Sequence, residues 1–522
     1  MIFERFFNNY RKMTRFPKVK NTVVDHQPIN GDCEVDLRTL LGLVGNPADL
    51  VIHRMENNQN KAVAVLLYLS SLASGIDLAT HIVEPLNYLL SDSTGKNPDP
   101  GQVRRVLVAA QISATTDLHQ AIEYLIRGNA LLFLNGSSQV WTVAFPGFPR
   151  RQIEEPPTER VVRGSREGFT DVLGDNLGLV RRWIRDPNLR VELQIIGERT
   201  KTDVAVLYLN DVANPDVVRE VKKRLGKIRI DGILDSGYIL EMITDQRWTL
   251  FPLVQETERP DKVAAGILEG RVAILVDKSP FALLVPVTST EFYQTSEDFY
   301  LNYWVGTFIR VLRGIGTFIS VTLPGLYVSI IAVNPILAPS SLIQILASGR
   351  TQVPVPVIFE VLLVFIIFEI FREAVIRIPS SVNMILGIAG GVLIGLLATQ
   401  SGLVAGPTII IVIISSLSSF TTANTSKEQA WRLVRYFLLL AGAGFGVLGL
   451  TLAGVMVLTH MASLKSFGVS YLGPWAPPLA LDMIDAYFRI PWWLSYRRPS
   501  VYRPQQEDRL GDSGEEDARN AE

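Results

Sequence analysis

One cysteine, Cys33, in 522 residues excludes an internal disulfide. Histidine is scarce too: His26, His53, His81, His119 and His460 are scattered, with neither HExxH nor CxxC among them. No metal site and no cofactor are therefore expected. Neither a GxxxxGK[ST] loop nor a GxSxG elbow occurs. The stretch AGAGFG at 441–446 has the wrong spacing for a dinucleotide loop and no soluble βαβ unit around it. No catalytic residue stands out, and the chain is expected not to be an enzyme. A net charge of −1 argues against nucleic acid as the main partner.

The largest absence is of charge. Residues 378–426 contain no Asp, Glu, Lys, Arg or His. At about 1.5 Å per residue this stretch is long enough to cross a bilayer core of roughly 30 Å twice. Gly387, Gly391 and Gly395 recur every four residues, which puts small residues on one helix face and lets another backbone approach. Two readings fit that face. It is ordinary helix packing, or it lines a narrow pore in which Leu393, Ile394, Leu396 and Leu397 form an apolar constriction able to gate by dewetting.

What is present divides the chain in order. Residues 1–35 are a basic, aromatic leader, read as flexible or as drawn to anionic lipid; with no apolar run of signal length, the long soluble part is expected on the cytoplasmic side. Residues 36–145 form a first α/β subdomain. Ala62–Leu69 reads as a buried strand, Asp77–Leu90 as a helix, Arg105–Ile112 as a strand and Asp117–Arg127 as a capped helix. Ala130–Leu134 and Gln139–Val143 make a hairpin around Asn135-Gly136. Residues 146–157 are a proline-rich linker. The second α/β subdomain covers 158–290, with strands over Val191–Ile196, Val204–Leu209 and Ile228–Ile233, a helix opened by Asn214-Pro215, a helix over Asp261–Glu269, and a hairpin from Arg271–Val276 and Phe281–Val285.

The fold class is thus an α/β soluble region followed by an α-helical, multi-span transmembrane domain. Residues 291–313 alternate aromatics with Arg310 and Arg313 and read as an interfacial helix; the spans occupy 314–465. Segment one, Gly314–Val333, carries Pro324-Gly325 near its middle. Segment two, Val353–Ile378, holds Glu360, with Glu369, Arg372, Glu373 and Arg377 crowding its end. Ion pairs along that helix are available between Glu369 and Arg372 and between Glu373 and Arg377. Glu360 lies half a turn out of phase and needs another partner, either an interhelical hydrogen bond to a serine or a place in an ion or coupling pathway. Segments three and four are the charge-free stretch. Segment five, Tyr436–Thr459, has a second small face at Gly442, Gly446, Gly449 and Ala453. Residues 466–505 read as an interfacial segment anchored by Trp492, Trp493, Tyr496 and nearby arginines, and 506–522 as a disordered acidic tail. Five spans put Lys427–Arg435 inside and the basic tail outside; four reverse both.

The runs RQIEEPPTERVVRGSREGFTD at 151–171, IRDPNLRVE at 184–192, GERTKTDVAVLYLNDVANP at 197–215 and ERPDKVAAGILEGRVAILVDKSPFALLVP at 258–286 resemble the A subunit of bacterial spore germinant receptors, the GerA family. LPGLYVSII at 323–331, FEIFREAVIRIP at 368–379 and FGVSYLGPWAPP at 467–478 extend the resemblance over roughly residues 40–500. The chain departs from it where VFII at 364–367 and LLATQ at 396–400 replace polar positions. The resemblance implies a role in triggering spore germination in response to nutrients, beside a transporter-like B subunit and a lipoprotein C subunit. It implies an integral protein of the spore inner membrane that forms a homo-oligomeric, nutrient-gated ion channel. The sequence itself leaves three readings open: a gated channel, a non-conducting coupling scaffold, and a transporter, which would predict paired broken helices.

Overall fold

The computed structural model describes residues 27–56, 62–92, 102–103, 112–145, 155–350, 353–377, 400 and 402–509. Asp32 caps the first helix, α1 (Cys33–Val44), by accepting from the Glu34 and Val35 N–H groups. Strands β1 (Leu50–Glu56), β2 (Ala62–Leu69), β3 (Ile112–Thr115), β4 (Asn129–Leu134) and β5 (Val140–Ala144) form an antiparallel sheet in the order β1-β2-β4-β5-β3. The unbroken apolar run of β2 follows from cover on both faces. Val65 and Leu67 pack with α1 and with α4 (Leu118–Ile126). Ala64 and Leu66 pack beneath α2 (Gly75–Leu78), a π turn, and α3 (Glu84–Asp92). Most of the expected strand Arg105–Ile112 lies outside the described residues, and β3 starts where it was to end.

The second subdomain repeats the plan. After α5 (Leu173–Trp183) come β6 (Leu189–Ile196), β7 (Thr202–Leu209), α6 (Pro215–Leu225), α7 (Ser236–Ile243), β8 (Gln255–Thr257), α8 (Pro260–Leu268), β9 (Val272–Val276) and β10 (Ala282–Val285). Their order, β6-β7-β9-β10-β8, is that of the first sheet strand for strand. Asn214 caps α6 with Pro215 at its first position, as its sequence dictates. Ile228–Ile233 is not a strand. Its carbonyls at Ile230 and Asp231 accept from Glu198 and Arg199 in the β6–β7 turn, while Ile228 and Ile233 fill the core. Its apolar alternation thus serves burial without a ladder. The two sheets are tied by Arg181 of α5, which grips buried Asp49 through Nε (2.6 Å) and Nη2 (2.7 Å). Ser71 Oγ donates to the same carboxylate at 2.6 Å.

Most of the remaining described residues are helical, apart from a small hairpin of Lys465–Ser466 with Val469–Ser470. Short α9 (Ser296–Tyr300) breaks at Leu301-Asn302 and gives way to α10 (Tyr303–Val328), which ends in a π turn over Ser329–Val333. Then follow α11 (Ser340–Ser348), α12 (Val357–Arg377), α13 (Gly406–Ser419), α14 (Thr425–Ser463) and α15 (Ala480–Tyr487). Arg310 and Arg313, expected at an interface, fold back on buried Asp298 at 3.3 and 2.7 Å. Pro324 leaves the Ser320 carbonyl without its helical donor. Ser415 of α13 supplies one at 2.7 Å, so α10 runs through the proline.

Among the described residues two helical stretches, Tyr303–Val333 and Thr425–Ser463, are long and apolar enough to cross a bilayer. The second is folded. Gly446 adopts φ 65° and ψ −151°, and the chain doubles back there. Asn334 Oδ1 receives the Val447 N–H at 3.0 Å and closes the tip. A Cβ on Gly449 would stand 2.3 Å from the Ala441 carbonyl oxygen of the other leg. Gly442 does the same against α10, its would-be Cβ 2.8 Å from the Gly325 carbonyl oxygen. The second small-residue face therefore packs helices within one chain.

Segment five is therefore not the single straight rod that both span counts assumed. Lys427, at one end of α14, and His460, at the other, both flank Phe251 of the second subdomain. The C-terminal segment returns to the same subdomain, with Gln505 N bonded to the Val212 carbonyl at 2.9 Å. Residues 506–509 are seated, Arg509 pairing with Glu269 at 2.7 Å; residues 510–522 lie outside the described residues. At the other end, Ile29 and Cys33, within the expected leader, are buried in the first core.

Candidate functional site

Gly387, Gly391, Gly395, Ile394 and Leu397 lie outside the described residues. Glu360, Glu369, Arg372 and Glu373 are on α12, whose carboxylates meet three other segments. Glu360 is fully buried. It pairs with Arg350 at 2.7 Å and accepts from Ala405 N at 3.1 Å and Thr408 Oγ1 at 3.0 Å. Thr408 also meets Tyr327 Oη at 3.0 Å. A threonine, a backbone amide and an arginine thus hold this carboxylate where the sequence suggested a serine.

Half a turn away, Glu369 faces α14. It binds Arg432, Arg435 Nη2 at 3.3 Å and Tyr436 Oη at 3.2 Å. Arg372 takes Glu428 at 2.8 Å. The pairing between Glu369 and Arg372 along one helix does not form; α14 supplies each with a partner instead, arginines for Glu369 and Glu428 for Arg372. Arg435 is fully buried and lies 4.2 Å over the Phe365 ring.

At the head of α14 is a residue that sequence reasoning used only for topology. Lys427 is fully buried. Its Nζ donates to Tyr471 Oη at 2.6 Å and Ser289 Oγ at 2.9 Å. Five rings surround it: Tyr471 at 4.6 Å, Phe251 at 5.1 Å, Phe292 and Trp431 at 5.5 Å, and Tyr293 at 6.0 Å. No carboxylate pairs with it among the described residues. A lysine without a counter-ion is costly to bury in its charged form, and here ring faces and two hydroxyls are its whole surroundings among these contacts. Burial also raises the Tyr471 phenol well above its ordinary pKa, which keeps its proton on.

The cage gathers the approach to β8 (Phe251), the loop before α9 (Ser289, Phe292, Tyr293), α14 itself and the C-terminal segment (Tyr471). One residue earlier, Ser426 Oγ donates to Glu256 of β8 at 2.9 Å. A shift of β8 or of α14 must therefore disturb the other. The available signal was Lys427 at the mouth of an apolar helix, with aromatics at 251, 292, 293 and 471; only the fold brings them together.

An α/β module of two like sheets, locked onto a folded-back apolar helix bundle, is the class of protein this geometry defines. The family model described as "Bacillus/Clostridium GerA spore germination protein" matches residues 38–501, and the chain belongs to that family. It is similar to "Spore germination protein KA" of Bacillus subtilis (strain 168), 36% identical over 90% of this chain and 86% of that one. It is also 35% identical to "Uncharacterized membrane protein YfkQ" of the same organism, over 91% and 92% of the two chains. "Spore germination protein B1" is 31% identical over 91% and 98%. The crystal structure of the N-terminal domain of the A subunit of the Bacillus megaterium spore germinant receptor GerK3 aligns with 30% identity and a TM-score of 0.39, over 50% of this chain and 96% of that one.

Proposed function

We propose that this chain is the A subunit of a spore germinant receptor, a non-enzymatic, multi-span protein of the spore inner membrane that triggers germination in response to nutrients. It works as a homo-oligomeric, nutrient-gated ion channel subunit, with its soluble module in the spore core. Its partners are a transporter-like B subunit, a lipoprotein C subunit and further copies of itself. The observation that carries this reading is the Lys427 cage, which joins the soluble sheet to the head of α14. Rearrangement of the module would reach the apolar helices through that joint.

A second reading, a non-conducting scaffold for the nutrient-binding partner, is favoured by the pairing of Glu360, Glu369 and Arg372 within the chain itself.

The test is oligomeric mass in mild detergent, followed by ion flux in liposomes from the same preparation. A closed ring whose leak changes with Gly391→Trp, while the soluble domains stay folded, supports the channel. A monomer that binds only its partner subunits supports the scaffold. Unchanged germination and oligomer size in Gly391→Trp removes the packing role of that glycine face.

A further inference from the structure

A cavity of about 420 Å³, lined by none of the residues that surround Lys427, lies between α8, α9 and the C-terminal segment. Its size falls in the range of small-molecule sites. Gln255 of β8 lines it and is fully buried. The Gln255 Oε1 accepts from Arg271 Nη2 at 2.6 Å, while its Nε2 has no partner among the described residues. The guanidinium fixes this orientation, since a flipped amide would set donor against donor. A buried amide with both N–H groups unused is destabilising unless something accepts from it.

Charge on the wall points to the sign of that acceptor. Asp261 pairs with Arg259 at 2.7 Å, Lys262 with Glu159 at 2.8 Å, Glu269 with Arg509 at 2.7 Å and Glu291 with Arg271 at 3.6 Å. Arg498 also lines the cavity, and its recorded hydrogen bonds go to the carbonyls of Leu268, Gln506 and Asp508. Once these pairs are matched, Arg498 is the one lining charge without an ion pair among the described residues, and it and Gln255 Nε2 are N–H donors. The remaining lining is aromatic: Phe299 and Trp492, with ring centroids 5.9 Å apart, and Tyr300, whose hydroxyl is held by Asp261 at 3.1 Å.

We propose that this cavity binds a small organic carboxylate with a flat apolar body, its carboxylate meeting Gln255 Nε2 and Arg498 and its body lying against Phe299 and Trp492. The walls come from segments before and after the apolar helices. An occupant therefore bridges β8 and α8 to the C-terminal segment and tightens their contact.

The test uses the full chain in detergent, titrated with benzoate and indole-3-acetate as probes and benzylamine as the cationic control, read by saturation-transfer NMR. Both carboxylates are expected to bind and benzylamine not to. Gln255→Glu is nearly isosteric and gives Arg271 a carboxylate to hold; it should weaken both carboxylates at least about tenfold, a change of roughly 1.4 kcal/mol. Trp492→Ala, at a half-exposed position, should weaken indole-3-acetate about fivefold with unfolding unchanged, and it carries the test if Gln255→Glu does not fold. Silence from both carboxylates, equal binding to wild type and both variants, or benzylamine binding as tightly as benzoate overturns the proposal.

Discussion

Lys427 Nζ lies 2.6 Å from Tyr471 Oη, with both residues fully buried, and this contact joins the start of α14 to the segment that follows its end. Removing either partner has a different expected result. Tyr471→Phe leaves the buried Lys427 amine with one hydroxyl fewer and should cost about 1–3 kcal/mol. Lys427→Met fills the cage without a charge and should be close to neutral or stabilising. Thermal unfolding of the two purified variants checks the contrast; equal losses would mean the lysine is held by packing alone.

Lys427→Met should also weaken germination while the protein remains stable, because the joint loses its polar link to Ser289 and Tyr471. Complementation of a receptor-deficient spore, with protein level measured in parallel, checks it. Normal germination would show that the cage is structural only.

The Asp49–Arg181 pair is buried on both sides, at 3% and 4% side-chain exposure. Asp49→Ala strands a guanidinium and should destabilise the soluble module by about 3–5 kcal/mol. Asp49→Leu with Arg181→Met should recover much of that loss. Urea unfolding of the two variants beside wild type is the measurement.

Glu256 has its pKa raised, chiefly by burial. The folded state therefore holds its proton more tightly than the unfolded chain does. The sign follows: the destabilisation is absent below the ordinary value of 4.5, grows as pH rises through the raised value, and is complete above it. Glu256→Gln, which can still accept from Ser426, should be more stable than wild type at neutral pH and equal to it in acid. Melting curves across that pH window show whether the two lines converge.

Ser415→Ala uncovers the Ser320 carbonyl that Pro324 left free, and should cost about 1 kcal/mol or somewhat more in an apolar setting. Adding Pro324→Ala returns the helical donor and should rescue it. Failure of that rescue would place the serine's role elsewhere.

Local signals were legible where they act locally. Asn214-Pro215 opened a helix, Asn135-Gly136 turned a hairpin, and the apolar run of β2 announced a strand covered on both faces. The half-turn offset between Glu360 and Glu369 also gave them different partners, as periodicity required. The shared strand order of the two sheets was hidden, because β3 and β8 pair at the far edge, away from their neighbours in sequence. The cage was hidden for the same reason: Phe251, Ser289, Lys427 and Tyr471 meet only in space. Gly446 misled, since a glycine in a helical pattern reads as packing, and only its φ of 65° shows a reversal.

That reversal, with the return of residues 465–509 to the second subdomain, fixes a parity. In a chain embedded as proposed, α10 leaves from the face of the soluble module and α14 comes back to it. The crossings between them must be even in number, and the module and the residues around Gln505 share one compartment. A tag after Arg509 and a tag in the β4–β5 turn should thus be reached by an impermeant label from the same side of a sealed vesicle.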